Sequence, residues 1–185
     1  MATTTTTTTT TPNHADLYDW NLVKSVEKYV RDTGLGDSYP LVFEDSQFDP
    51  DSSDSNPDSV NRWIDFEWVS FGATVFSLST FHVRFFSRTA DDRFGREREL
   101  MIGRVRNIME NTTPGITFLD MMGTPANPPA IQYNGADLKM AIRFVDRSAT
   151  MDANVTMGEQ SSQISGVHLV VVSYNVHVAR PNALW

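Results

Sequence analysis

Residues 81–110 read FHVRFFSRTADDRFGRERELMIGRVRNIME, and the fold turns on how this stretch divides. Phe81, Val83 and Phe85 fall on one side of an extended chain and His82, Arg84 and Phe86 on the other, the period-two pattern of a strand with one covered face. Thr89, Asp91 and Asp92 then offer side-chain oxygens suited to capping a helix. Beyond them the spacing changes to three and four. Phe94, Met101, Ile102, Val105, Ile108 and Met109 share one helical face up to Glu110, after which TTPG stops the helix. A strand thus feeds a helix through a short polar turn.

The same window is electrically unlike its surroundings. It holds seven arginines (84, 88, 93, 96, 98, 104 and 106) of the chain's 15 Lys and Arg, against five acids, and is +2 within a chain of net charge −8. On a helical wheel Arg96, Glu99, Arg106 and Glu110 lie opposite the apolar face, and Arg93–Glu97 and Arg106–Glu110 are i,i+4 pairs. Arg98 falls inside the apolar stripe, so it must snorkel or meet an acid from elsewhere. No helix-turn-helix partner precedes this helix, which favours a charged subunit contact over phosphate binding.

Upstream, NRWIDFEWVSF (61–71) alternates, with Ile64, Phe66 and Trp68 on one face and Trp63, Asp65, Glu67, Val69 and Phe71 on a half-polar one. After a break at Gly72 a second strand runs to about Ser87. Residues 16–33 carry Tyr18, Leu22, Val26, Tyr29, Val30 and Thr33 on one helical face, with Gly34 and Gly36 as stops. PLVFED (40–45) suits a short strand. Residues 45–59 form an acidic Pro-, Ser- and Asp-rich loop.

Downstream, ITFLDM (116–121) suits a strand, MGTPANPPAIQYNG (122–135) a loop, and DLKMAIRFV (137–145) an alternating strand. A polar stretch, 146–165, precedes VHLVVVSYNVHVA, which reads as the longest strand. The order is helix, strands, helix, strands with short links. That predicts one α+β domain with a mostly antiparallel sheet and two helices on one face. We divide the chain into a flexible poly-Thr arm (1–14), which includes nine consecutive threonines, the domain (15–180) and a C-terminal tail (181–185).

The chemistry of sites points away from catalysis. With no cysteine there is no disulfide, thiolate nucleophile or Cys-based zinc site. Asp49, Asp51 and Ser53 match the first EF-hand ligand spacings, but Asp54 and Val60 occupy the positions that need Gly and Glu. Asp65 and Glu67 point the same way, about 7 Å apart at Cα, yet nothing supplies the pocket an acid–base pair requires. His168 and His177 are an odd number apart on one strand and face opposite ways, so they share no metal. There is no G-x-S-x-G, and Gly34-Leu35-Gly36 lacks the strand that precedes a nucleotide-binding turn. We therefore expect no enzyme activity, no metal and no cofactor. No apolar run is long enough to span a membrane and no basic leader precedes one, so the chain is expected to be soluble and unprocessed.

An N-terminal helix, the strand NRWIDFEWVSF, the strand–turn–helix of residues 81–110, then GITFLDM and the long VHLVVVSYNVHVAR together resemble the tail terminator proteins of tailed bacteriophages. The resemblance covers about residues 16–180. It implies a small α+β subunit in which an edge strand runs into the second helix and a last long strand completes the sheet. It also implies a homohexameric ring in the virion, assembled in the host cytoplasm. Such a ring stops growth of the tail tube, joins the tail to the neck or connector protein, and leaves a channel for DNA without sequence-specific binding.

The charge pattern fits a ring, whose heterologous contact needs two different patches on one chain. Arg93, Arg96 and Arg104 on the helix flank and Asp65 and Glu67 on the strand face are the expected halves. Surplus acid suits a conduit that must not grip phosphate. The alternatives are another head–tail neck component, such as a head-closing stopper or connector adaptor, and a non-viral binding or adaptor module.

Overall fold

Helix α1 (Tyr18–Asp32) forms where the apolar spacing puts it, with Tyr18, Leu22, Val26 and Val30 buried and Lys28–Asp32 and Arg31–Glu27 paired along its outer side. In this computed structural model the described residues are 18–44, 48, 60–72, 77–88, 92, 94–112, 115–122, 126–133, 135–157 and 162–179, with backbone alone for 149–157, 162–166 and 179. The expectations for the arm (1–14), most of the acidic loop (45–59), the calcium-like spacing within it and the tail (181–185) lie outside them.

After a single 3-10 turn (Leu35–Asp37) come β1 (Leu41–Val42), β2 (Arg62–Ser70) and β3 (Ser79–Arg88), then helix α2 (Arg96–Glu110). Strand β4 (Ile116–Thr117) and a small hairpin of β5 (Gln132–Tyr133) and β6 (Ala136–Asp137) precede the long pair β7 (Lys139–Met157) and β8 (Ser162–Ala179). Six strands make one sheet in the order β1-β2-β3-β8-β7-β4. Every neighbouring pair is antiparallel except β1–β2. Both helices pack on one face, and the chain is a single α+β domain.

The core lies between that face and the helices. Ile64, Phe66, Phe81, Val83, Phe85, Met140, Val172 and Val176 come from the sheet, and Met101, Ile102, Val105 and Met109 from α2. Each fully buried side chain of this size contributes roughly 1.5–3 kcal/mol relative to exposure. The helices are also tied directly, since the Tyr29 hydroxyl donates to the Ile108 carbonyl at 3.0 Å. The segment after β4 is held by α1, whose Ser25 Oγ and Asn21 Oδ1 accept the Leu119 and Met121 amides at 3.0 and 2.9 Å.

Several expectations need correction. The polar stretch 146–165 is largely strand. The β7–β8 ladder continues past the last row of β3, Arg88↔Val167, down to Met157↔Ser162. Five residues of β8 at ~3.3 Å each carry this two-stranded arm about 17 Å further. Apolar alternation marks strands that bury a face, so it is silent where a ladder runs on beside no third described strand. The longest strand is accordingly β7, at 19 residues against 18 for β8.

Strand β3, which feeds α2, is interior rather than an edge, and β8 lies between β3 and β7 rather than completing a border. Part of the expected 122–135 loop is the β5–β6 hairpin, whose turn includes Gly135 at φ 78°. Phe86 and Trp63, on the face expected to meet solvent, are fully buried. They stack at 4.8 Å in a second cluster with Val42, Val60 and Val167.

Candidate subunit interface

The turn from β3 into α2 is built around Asp92. Its buried carboxylate accepts the backbone N–H groups of Glu97 and Arg98 at 3.1 and 3.0 Å, satisfying two of the amides a helix start leaves open. Gly95 supplies the left-handed step (φ 71°) that brings the chain round. The Arg98 guanidinium folds over it, so closely that a Cβ at Gly95 would sit 2.6 Å from Nη2. Arg98 thus lies back along the helix start, with its Nε buried and without a hydrogen-bond partner among the described residues. The helix begins only at Arg96, four residues after its capping carboxylate, so Phe94 precedes the helical phase. It is 92% exposed instead of joining the apolar face.

Many charges of α2 are engaged within the chain, its acids by arginines of the sheet and two of its own arginines locally. Glu97 pairs with Arg62 of β2, and Glu99 accepts from Arg147 of β7 at 3.1 Å. Arg106 pairs with Glu110 at 2.9 Å and lies 4.9 Å over the Phe144 ring. Arg104 stacks over Tyr39 at 5.4 Å. Arg96 is exposed, with no ion pair among the described residues. Arg93, and with it the expected Arg93–Glu97 pair, lies outside them.

The acidic half is engaged as well. Asp65, 5% exposed, accepts from Arg84 Nε at 2.8 Å, and Arg84 Nη1 reaches Glu67 at 3.2 Å. His82 Nδ1 lies 3.9 Å from Glu67. Burial pushes the Asp65 carboxyl above its ordinary range while Arg84 pulls it down. The structure thus brings Asp65 and Glu67 together around Arg84 on the outer face of β2 and β3. Arg96 and Arg104 sit on the helix side. The two expected halves lie on opposite sides of the sheet.

A different feature spans the subunit. Trp68, Phe81, Tyr174 and Phe144 occupy successive positions in one row across β2, β3, β8 and β7. Their rings follow at 5.2, 5.5 and 6.3 Å. Phe71 stacks on Trp68 at 5.3 Å and lengthens the row at one end. Trp68, Phe81, Tyr174 and Phe144 each sit in the core-facing phase of their own strand, which sequence shows, whereas Phe71 lies just past the end of β2. The row itself depends on register between strands, which sequence does not show.

The two borders of the sheet differ. The outer side of β2 is taken by β1 opposite Ile64 and Asp65, and the Glu44 carboxylate accepts the Trp68 amide at 3.1 Å. The outer side of β7 carries β4 only at Lys139 and Met140. No described strand pairs with it from Ala141 to Met157. Among the described residues no helix is long and apolar enough to cross a membrane, and no three His, Asp or Glu gather where a metal ion could be held.

No protein-family model matches the chain, and no curated protein matches it. One solved structure, whose name describes no function, is 12% identical with a TM-score of 0.45, across 89% of this chain and 98% of its own. A likeness at that level carries no argument about fold or function.

Proposed function

We propose that this protein is a structural subunit that closes into a ring at the head-proximal end of a phage tail, in the manner of the tail terminators. There it stops tube growth and joins the tail to the neck while leaving a passage for DNA. The observation that supports the reading is the asymmetry of the sheet's borders, one occupied by β1 and Glu44 and the other, along β7 from Ala141, paired with no described strand. A chain with two unlike flanks suits the head-to-tail contact from which closed rings are made. The strand–Asp92 turn–helix junction is consistent with the terminator-like order of elements, while the interior places of β3 and β8 depart from what the resemblance implies. In this role the protein acts by shape and assembly, without turnover, and it works in the virion after assembly in the host cytoplasm.

Negative-stain microscopy of the purified protein should show rings with a central hole. Mixed with growing tail tubes, those rings should cap one end and halt elongation. Rings that bind the connector yet leave tube growth untouched would move the protein to the stopper or adaptor role. A particle that remains monomeric at every concentration would remove the reading.

A further inference from the structure

The aromatic row ends at both flanks of the sheet in partly exposed rings. Phe71 is 41% exposed beside the β2 border and Phe144 39% exposed on β7. We propose that these ends are the two halves of the contact between copies of this chain, Phe144 of one copy seating against Phe71 and Trp68 of the next. The inference rests on the ring reading above and names its joint.

Three observations carry it. First, the row already runs from flank to flank at stacking distances, so a neighbour's ring at either end continues contacts of the kind each member makes. Second, β2 and β7 run in opposite directions, as follows from the antiparallel pairs β2–β3, β3–β8 and β8–β7. A rotation therefore sets these flanks side by side as antiparallel borders. Because Glu44 occupies the Trp68 amide, the two meet through side chains rather than a shared ladder. Third, the charges around the ends are complementary. Glu44 lies by the β2 end, where it accepts the Trp68 amide, and Arg106, paired with Glu110, lies over the Phe144 ring at the β7 end.

The full-length chain contains no cysteine, so introduced thiols are the only ones present. The test combines light scattering of the wild-type protein with Phe71→Cys, Phe144→Cys and the double variant, each treated with a short bismaleimide. The double variant should give a covalent ladder of multimers on a denaturing gel. Either single variant should stay monomeric, because each position meets the other and not itself. Phe144→Ser should raise the concentration for half-assembly by about tenfold or more. If Phe144→Cys loses a cooperative melt, Val145→Cys, at the neighbouring exposed position, replaces it.

Assemblies that form without 71–144 links, or single variants that link to themselves, would overturn this joint and leave the ring standing. A wild-type protein that never assembles would overturn both.

Discussion

The two faces of the central sheet are made by the same strands and carry the same period-two pattern, yet they are finished differently. On the helix side Phe81, Val83 and Phe85 of β3 enter one continuous core under α1 and α2. The outer side is divided along its length. Trp63 and Phe86 are sealed beneath Val42, Val60 and Phe48 at one end. Next come the Asp65–Arg84–Glu67 charges, and then the Thr80–Asn175 hydrogen bond at 2.9 Å. Alternation states which residues share a side; what covers that side is decided elsewhere in the chain.

The comparison breaks most sharply at Trp63. If the outer cluster is a second core, Trp63→Ala should cost about 3–5 kcal/mol, as Phe85→Ala should on the helix side, because both rings are wholly buried. Urea denaturation of the two variants measures this. A loss below ~0.5 kcal/mol at Trp63 would return the outer face to the solvent surface its sequence suggests.

Next in size is Arg84→Met, which removes the guanidinium between two carboxylates and leaves Asp65 buried without its cation. The expected loss near neutral pH is about 1–3 kcal/mol. Burial already raises the Asp65 carboxyl, so the folded state binds its proton more readily than the unfolded chain does. Without Arg84 that preference grows. The variant should therefore recover stability as pH falls through the carboxylate range, and Asp65→Asn combined with Arg84→Met should restore most of the loss at neutral pH. A variant whose deficit is the same at pH ~4 and ~7 would show that Asp65 is solvated after all.

At the α2 start, Asp92→Ala should cost about 0.5–2 kcal/mol by freeing the Glu97 and Arg98 amides. This junction also shows how far the sequence could be read. Thr89, Asp91 and Asp92 were visible as caps, and Asp92 does cap, but it acts across the Gly95 step. The helix then starts late enough to leave Phe94 outside. The α+β order and the core-facing residues of β2, β3, α1 and α2 were legible because each follows from a local period.

The charged contact residues were not legible in the same way. Asp65 meets Arg84 across strands, and Arg104 meets Tyr39 across 65 residues of chain. The polar reach of β7 and β8 was hidden for a related reason, since a ladder held by backbone hydrogen bonds needs no apolar alternation. Register and tertiary pairing settled what local pattern left open.

The smallest expected effect belongs to His177, on the outer side of β8 opposite Ala141. Burial holds its imidazole below the ordinary histidine value, and nearby Arg143 pushes the same way. The folded state thus favours the neutral ring, while the unfolded chain protonates near the usual value of 6.5. Between those two points the unfolded state binds more protons, so stability is present above the unfolded value and lost as pH falls below it. Asp65 acts with the opposite sign and lower on the pH scale, gaining stability as its raised carboxyl takes up a proton. His177→Gln should therefore reduce the fall in thermal midpoint between about pH 7.5 and 5.5 while leaving the midpoint at the upper pH nearly unchanged. Arg143→Gln should reduce it by less, since burial is the larger cause. An unchanged pH profile in His177→Gln would mean that this end of the outer face is open to water, and would confine the sealed part of that face to the Trp63 cluster.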